Sequence, residues 1–148
     1  MRIALAADHA GFALKDELAH WLSEEGHDVL DLGTNSADSV DYPQFGAALA
    51  RAIGSGEAER GVAVCGSGIG IAIAINRFGQ CRCANVSEPL SAQLARTHND
   101  ANVIALGARL VGPDMAKACV AAFVDGDFGG GRHQRRVDQL LSLLQDSD

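Results

Sequence analysis

The chain has 148 residues, 47% of them hydrophobic and 5% aromatic, with a formal net charge of -7. That length and apolar content suit one domain, residues 1–148, with a single core. The acidic balance excludes nonspecific attraction to nucleic acid or to an anionic membrane, so any anion site has to be assembled from local groups.

The first apolar run, residues 3–7, is too short for a signal-peptide core and is interrupted at once by Asp8 and His9. No later segment approaches the roughly 20 apolar residues of a membrane span. A soluble, cytoplasmic protein is expected.

In chain order, short β-type runs at 3–7, 29–32, 62–65, 82–86 and 103–106 alternate with helical patterns. The strongest runs are continuously apolar, as in parallel strands covered on both faces. Leu14, Leu18, Trp21 and Leu22 form one helical stripe, closed by Gly26. Phe45, Leu49, Ala52 and Ile53 form another before Gly54. Residues 68–76 are apolar nearly all round, which predicts a deeply buried helix or a subunit contact. Pro89 and Pro113 stand where helices begin. The glycines at 126 and 129–131 read as a hinge before a last helix, whose face of Val137, Leu140, Leu141 and Leu144 needs cover from its own domain or a neighbour. A dimer is favoured.

Repeated βα units with right-handed crossovers imply a three-layer α/β/α sandwich around a five-stranded parallel sheet, Rossmann-like in type. The expected strand order is 2-1-3-4-5. Ligands then bind outside the strand C-termini, at the switch point between the first and third strands.

The chemistry collects at those two strand ends. The first closes on Asp8-His9, the third on Cys65-Gly66-Ser67-Gly68-Ile69-Gly70. A glycine turn entering a helix can aim backbone N–H groups at a negative oxygen. It lacks the lysine of a P-loop and the spacing of a dinucleotide fingerprint. Cys65 at its mouth is either a buried strand-end cysteine or a base whose thiolate the turn would stabilise. The other cysteines, Cys81, Cys83 and Cys119, lack zinc-site spacing and read as small core residues, so no metal is expected. His98 closes the fourth helix, where a histidine is commonly no more than a favourable cation. Arg132 and Arg136, spaced i and i+4, can grip one phosphate. As a solvated charge run they would instead oppose the helix dipole.

Six ordered motifs tie these features together: Ala7-Asp8-His9-Ala10-Gly11-Phe12 with Lys15, Asp41-Tyr42-Pro43, the 65–70 turn, Ser87-Glu88-Pro89, His98-Asn99-Asp100-Ala101-Asn102-Val103 and Gly130-Gly131-Arg132-His133-Gln134. On them the chain resembles the ribose-5-phosphate isomerase B family, within the group that includes galactose-6-phosphate isomerase subunits. The resemblance implies a homodimer, or a dimer of dimers, with active sites shared between subunits and no cofactor. It implies that Cys65 moves a proton between C1 and C2 of a phosphosugar, with Ser67, Gly66, Gly68, Ile69 and Gly70 holding the enediolate oxygen. His98 from the partner, helped by Asp8, would open the sugar ring. Asn99 would bind substrate oxygens, and His9, Arg109, Arg132 and Arg136 the phosphate. Some members carry a catalytic glutamate just after the turn; Ile71 stands there, which leaves Cys65 as the base.

The reading is an aldose-ketose isomerase acting on ribose 5-phosphate, with hexose 6-phosphates and tetrulose 4-phosphates as alternatives. A noncatalytic phospho-ligand domain or a receiver-like domain is the reading from another class; a receiver would want an aspartate and a lysine where Cys65 and Gly107 stand.

Overall fold

The computed structural model describes residues 1–144. Its elements are β1 (Arg2–Ala7), α1 (Phe12–Glu24), β2 (Asp28–Asp31), α2 (Tyr42–Gly54), β3 (Arg60–Cys65), α3 (Ile69–Ile75), β4 (Cys83–Asn85), α4 (Pro89–Asn99), β5 (Val103–Gly107), α5 (Pro113–Asp125) and α6 (Arg132–Ser142). All strand pairs are parallel.

The sheet order is β2-β1-β3-β5-β4, which corrects the expected 2-1-3-4-5. The reason lies in the strands themselves. Every residue of β5 is buried, whereas the three-residue β4 is only half-buried and ends on exposed Asn85. The fully apolar strand takes the interior and the short polar one the edge. The switch point between β1 and β3 is unaffected, and the true order sets Gly107 directly opposite Cys65.

Strand alternation sorts the core into two faces. Ile3, Leu5, Val62, Val64, Ile104 and Leu106 meet α1, α4 and α5. Ala4, Ala6, Ala63, Cys65 and Ala105 meet Leu49 of α2 and Ile71 and Ile75 of α3. Alanines on this second face let the helices approach closely.

Leu14, Leu18 and Leu22 are buried, and α1 ends where expected, with Gly26 at φ 93°. The expected stop at Gly54 falls slightly early: Gly54 is the last helical residue, Ser55 caps it and Gly56 takes the positive φ. One side of α3 is buried while Ile69 and Ile73 stay 54% and 55% exposed, so the wholly buried alternative does not hold. Val137 of α6 is buried, but Leu140, Leu141 and Leu144 remain largely open. Its glycine lead-in is anchored rather than free, with the Gly129 N–H donating to Thr97 O at 2.9 Å.

Lys15 is fully buried, which the sequence pattern does not reveal. Its ammonium donates to Asp31 at 2.7 and 2.8 Å and to Asp16 at 2.8 Å, joining α1 to the end of β2. Among the described residues no helix is long and apolar enough to cross a membrane.

Candidate active site

Because β1 and β3 are adjacent, their C-terminal ends bring Asp8 and Cys65 together in an open cleft of about 300 Å³, lined also by Tyr42, Ser67, Gly70 and Arg109. Cys65 is 4% exposed. Its Sγ accepts the Gly68 N–H at 3.1 Å, so the turn wraps the sulfur. Gly68 has φ 79°, and a Cβ there would lie 2.8 Å from Asn85 Oδ1 and 2.9 Å from the Leu106 carbonyl carbon. Only glycine satisfies both the backbone angle and that approach. Ser67 Oγ accepts the Ile69 N–H at 3.2 Å.

Asp8 is buried, and its Oδ1 accepts the Gly11 N–H at 3.0 Å, which holds the carboxylate at the start of α1. His9 receives the Val40 N–H on Nδ1 at 3.1 Å and does not line the cleft. Arg109 follows β5, and its Nη1 lies 3.0 Å from where a Gly66 Cβ would stand, so the guanidinium covers the turn. This cation beside the thiol depends on β5 lying next to β3.

Tyr42 and Leu110 also line the cleft, and the sequence pattern assigns neither a role; Tyr42 is the polar one. Its ring packs on Gly70, where a Cβ would be 2.7 Å from Cζ. The signal lay in Asp41-Tyr42-Pro43, where the proline at the start of α2 fixes the position of the preceding ring.

The remaining predicted residues lie elsewhere in the chain. Helix α4 runs back from the β4 end and finishes at Asn99, just before Val103 opens β5 opposite Gly61. From Gly61 to Cys65 is about 13 Å along β3 at the usual rise per residue. His98 and Asn99 therefore sit at the opposite edge of the sheet from Cys65. Asn99 and Arg136 line a separate cleft of about 490 Å³. His98 stacks on His133, ring centroids 4.4 Å apart and planes 16° from parallel. Arg132 opens α6 and Arg136 follows one turn later, both exposed, and the first turn has no acidic residue and no side-chain cap.

Cys81 and Cys119 are fully or nearly buried and Cys83 partly so, as core residues should be. Burial raises all three thiols, and burial together with neighbouring Cys81 pushes Cys83 up to about 12. Among the described residues no group of His, Cys, Asp and Glu is arranged to hold a metal ion.

Fold and cleft define an α/β protein with an acid, a thiol and an amide-lined turn at the switch point of a parallel sheet. Residues 3–140 match the family described as Ribose/Galactose Isomerase. The chain is 45% identical to ribose-5-phosphate isomerase B of Escherichia coli over 144 residues, 97% of each chain. The ribose-5-phosphate isomerase B of Clostridium thermocellum superposes with a TM-score of 0.98 at 42% identity, over 100% of both chains. That of Mycoplasma genitalium, solved with bound ribulose-5-phosphate, gives 0.93 at 33% identity over 99% of this chain and 97% of the other. The chain belongs to the ribose/galactose isomerase family.

Proposed function

We propose that the protein interconverts ribose 5-phosphate and ribulose 5-phosphate, with Cys65 as the proton-transferring base. The observation that carries this reading is the Cys65 sulfur at the mouth of the glycine turn, accepting the Gly68 N–H, beside Asp8 and Arg109 in one cleft. Proton abstraction next to a carbonyl needs a base and a stabiliser of the developing oxyanion in the same place. The family relationship supplies the substrate class.

In the forward direction the furanose opens to an aldehyde. The Cys65 thiolate removes the C2 proton, and the electron pair forms the C1–C2 double bond as O1 becomes the oxyanion. Amide N–H groups of the turn, with Ser67, hold that charge. Cys65 then delivers a proton to C1, one that can exchange with solvent while it is on the sulfur, and the O2 proton passes to O1, which leaves the C2 ketone. No electrons leave the sugar and no cofactor is required.

Ring opening falls to His98, helped by Asp8, the binding of substrate oxygens to Asn99, and phosphate binding to Arg132 and Arg136; His98, Asn99, Arg132 and Arg136 in one chain stand away from Cys65. A second copy of the chain brings them to the cleft, so the working unit is a homodimer with two shared sites. The half-exposed Ile69, Ile73, Leu140, Leu141 and Leu144 supply apolar surface for such a contact. Arg109 completes the phosphate contacts from the cleft itself, and His9, which follows Asp8 outside the lining of the cleft in one chain, is assigned to the phosphate from the family resemblance. A cytoplasmic location fits this metabolic role.

Two inactive variants mixed together test the arrangement. Cys65→Ala and His98→Asn subunits, exchanged under mild denaturant, form hybrids with one intact site each. Activity then recovers to about a quarter of wild type, the statistical share of intact sites in a two-fold dimer. No recovery in verified hybrids refutes sharing. Catalytic efficiencies across pentose, hexose and tetrulose phosphates decide the sugar length; a preference for a sugar other than the pentose overturns the substrate assignment.

A further inference from the structure

A histidine that opens a sugar ring has to give and take protons, so its nitrogens must stay available to substrate. Metal-free catalytic histidines are usually aimed by a hydrogen bond to one ring nitrogen, which fixes tautomer and orientation together. His98 follows a different plan. Among the described residues no hydrogen bond holds either of its nitrogens, and its defined contact is the face of His133.

We propose that His133 is a positioning residue whose ring, stacked on His98, sets the orientation of that imidazole for ring opening while leaving both its nitrogens to the substrate. The proposal rests on the ring-opening role given to His98 above.

Three observations make the stack a built feature. The ring centroids are 4.4 Å apart and the planes nearly parallel. The backbone beneath is tied down on both sides: the Gly129 N–H donates to Thr97 O at 2.9 Å, immediately before His98, and the His133 N–H donates to Gly130 O at 3.0 Å. Gly129 also lets the two segments approach closely, since a Cβ there would stand 3.0 Å from Thr97 O. The α4 terminus and the α6 start are thus clamped with the two rings between them.

The basicity of His133 is lowered, first by burial and then by the positive neighbours His98, Arg132 and Arg136. That shift favours the uncharged form of His133 in the stack. Both rings belong to one chain, so the pair travels as a unit to whichever site that chain completes.

The test separates orientation of His98 from simple loss of structure. Ribulose 5-phosphate has its O5 esterified and no furanose to open, so solvent deuterium entering at its C1 reports Cys65 chemistry alone. Isomerisation of ribose 5-phosphate needs the ring opened as well. His133→Ala is expected to lower kcat for ribose 5-phosphate by about tenfold or more, the scale of a misplaced group. KM and the C1 exchange rate should stay within about twofold. His133→Phe, which keeps a flat ring, should restore most of the lost kcat.

Wild-type kcat in His133→Ala overturns the proposal. So does an equal loss in both readouts, which marks a structural role, or a raised KM at unchanged kcat, which marks a phosphate ligand. A Phe variant as impaired as the Ala variant also overturns it. His98→Asn is run alongside. If it isomerises normally, the ring-opening reading fails and this proposal with it. If it fails to isomerise while His133→Ala does not, only this proposal falls.

Discussion

Replacing Cys65 with serine and with alanine separates its chemistry from its packing. The sulfur accepts the Gly68 N–H at 3.1 Å and is 4% exposed. Alanine leaves that donor without its partner, which costs about 1–3 kcal/mol for a buried group, whereas serine retains an acceptor and should cost less than about 1 kcal/mol. Neither variant retains a base: a methyl takes no proton, and a hydroxyl is far less acidic than a thiol. Loss of a positioned general base is worth about 10²–10⁴ in rate. A central 10³ corresponds to about 4 kcal/mol of transition-state stabilisation. Cys65→Ser should therefore combine near-native urea stability with a roughly thousandfold lower kcat. Initial rates on ribose 5-phosphate, C1 deuterium exchange on ribulose 5-phosphate and a denaturation curve on the same sample give the three quantities. A Cys65→Ser enzyme within tenfold of wild type refutes the assignment, however well the cleft is formed.

Arg136→Ala should raise KM by about tenfold or more with kcat little changed, because the guanidinium is assigned to the unreactive phosphate end; steady-state kinetics check it. Asp31→Ala should destabilise the fold by about 3 kcal/mol, since it leaves the buried Lys15 ammonium with Asp16 as its remaining ion partner, and the 35% exposure of Asp31 keeps the loss at the low end. Urea unfolding measures that loss. Glu88 caps α4 by accepting the Ser91 N–H, and those bonds hold its carboxyl below the ordinary 4.5. Its contribution is present above that unfolded value and lost as pH falls through the lower folded one. The melting-temperature gap between wild type and Glu88→Gln should therefore be open near neutrality and closed in strong acid, as melting curves across pH will report. Cys83, with its thiol pushed up to about 12, should stay unmodified by iodoacetamide at neutral pH, as mass spectrometry of the native protein will show.

Local pattern determined much of this protein. Five β-type runs with helical stripes between them were sufficient for a parallel α/β/α sandwich, because strand and helix periods are written residue by residue. The same pattern put Asp8 and Cys65 at one switch point. Strand order was not local. It depended on the burial of β5 against the polar edge of β4, a competition among strands that no single strand encodes, and it set Arg109 over the turn. Buried Lys15 was equally hidden, since its partner Asp31 lies 16 positions away on another element. Tyr42 and His133 stood in recognised motifs, yet their contacts with Gly70 and His98 exist only once separate segments pack together. Sequence supplied the chemical groups and their local conformations. Only the folded chain decided which of them face one another, because distances between segments follow from competing burial across the whole core.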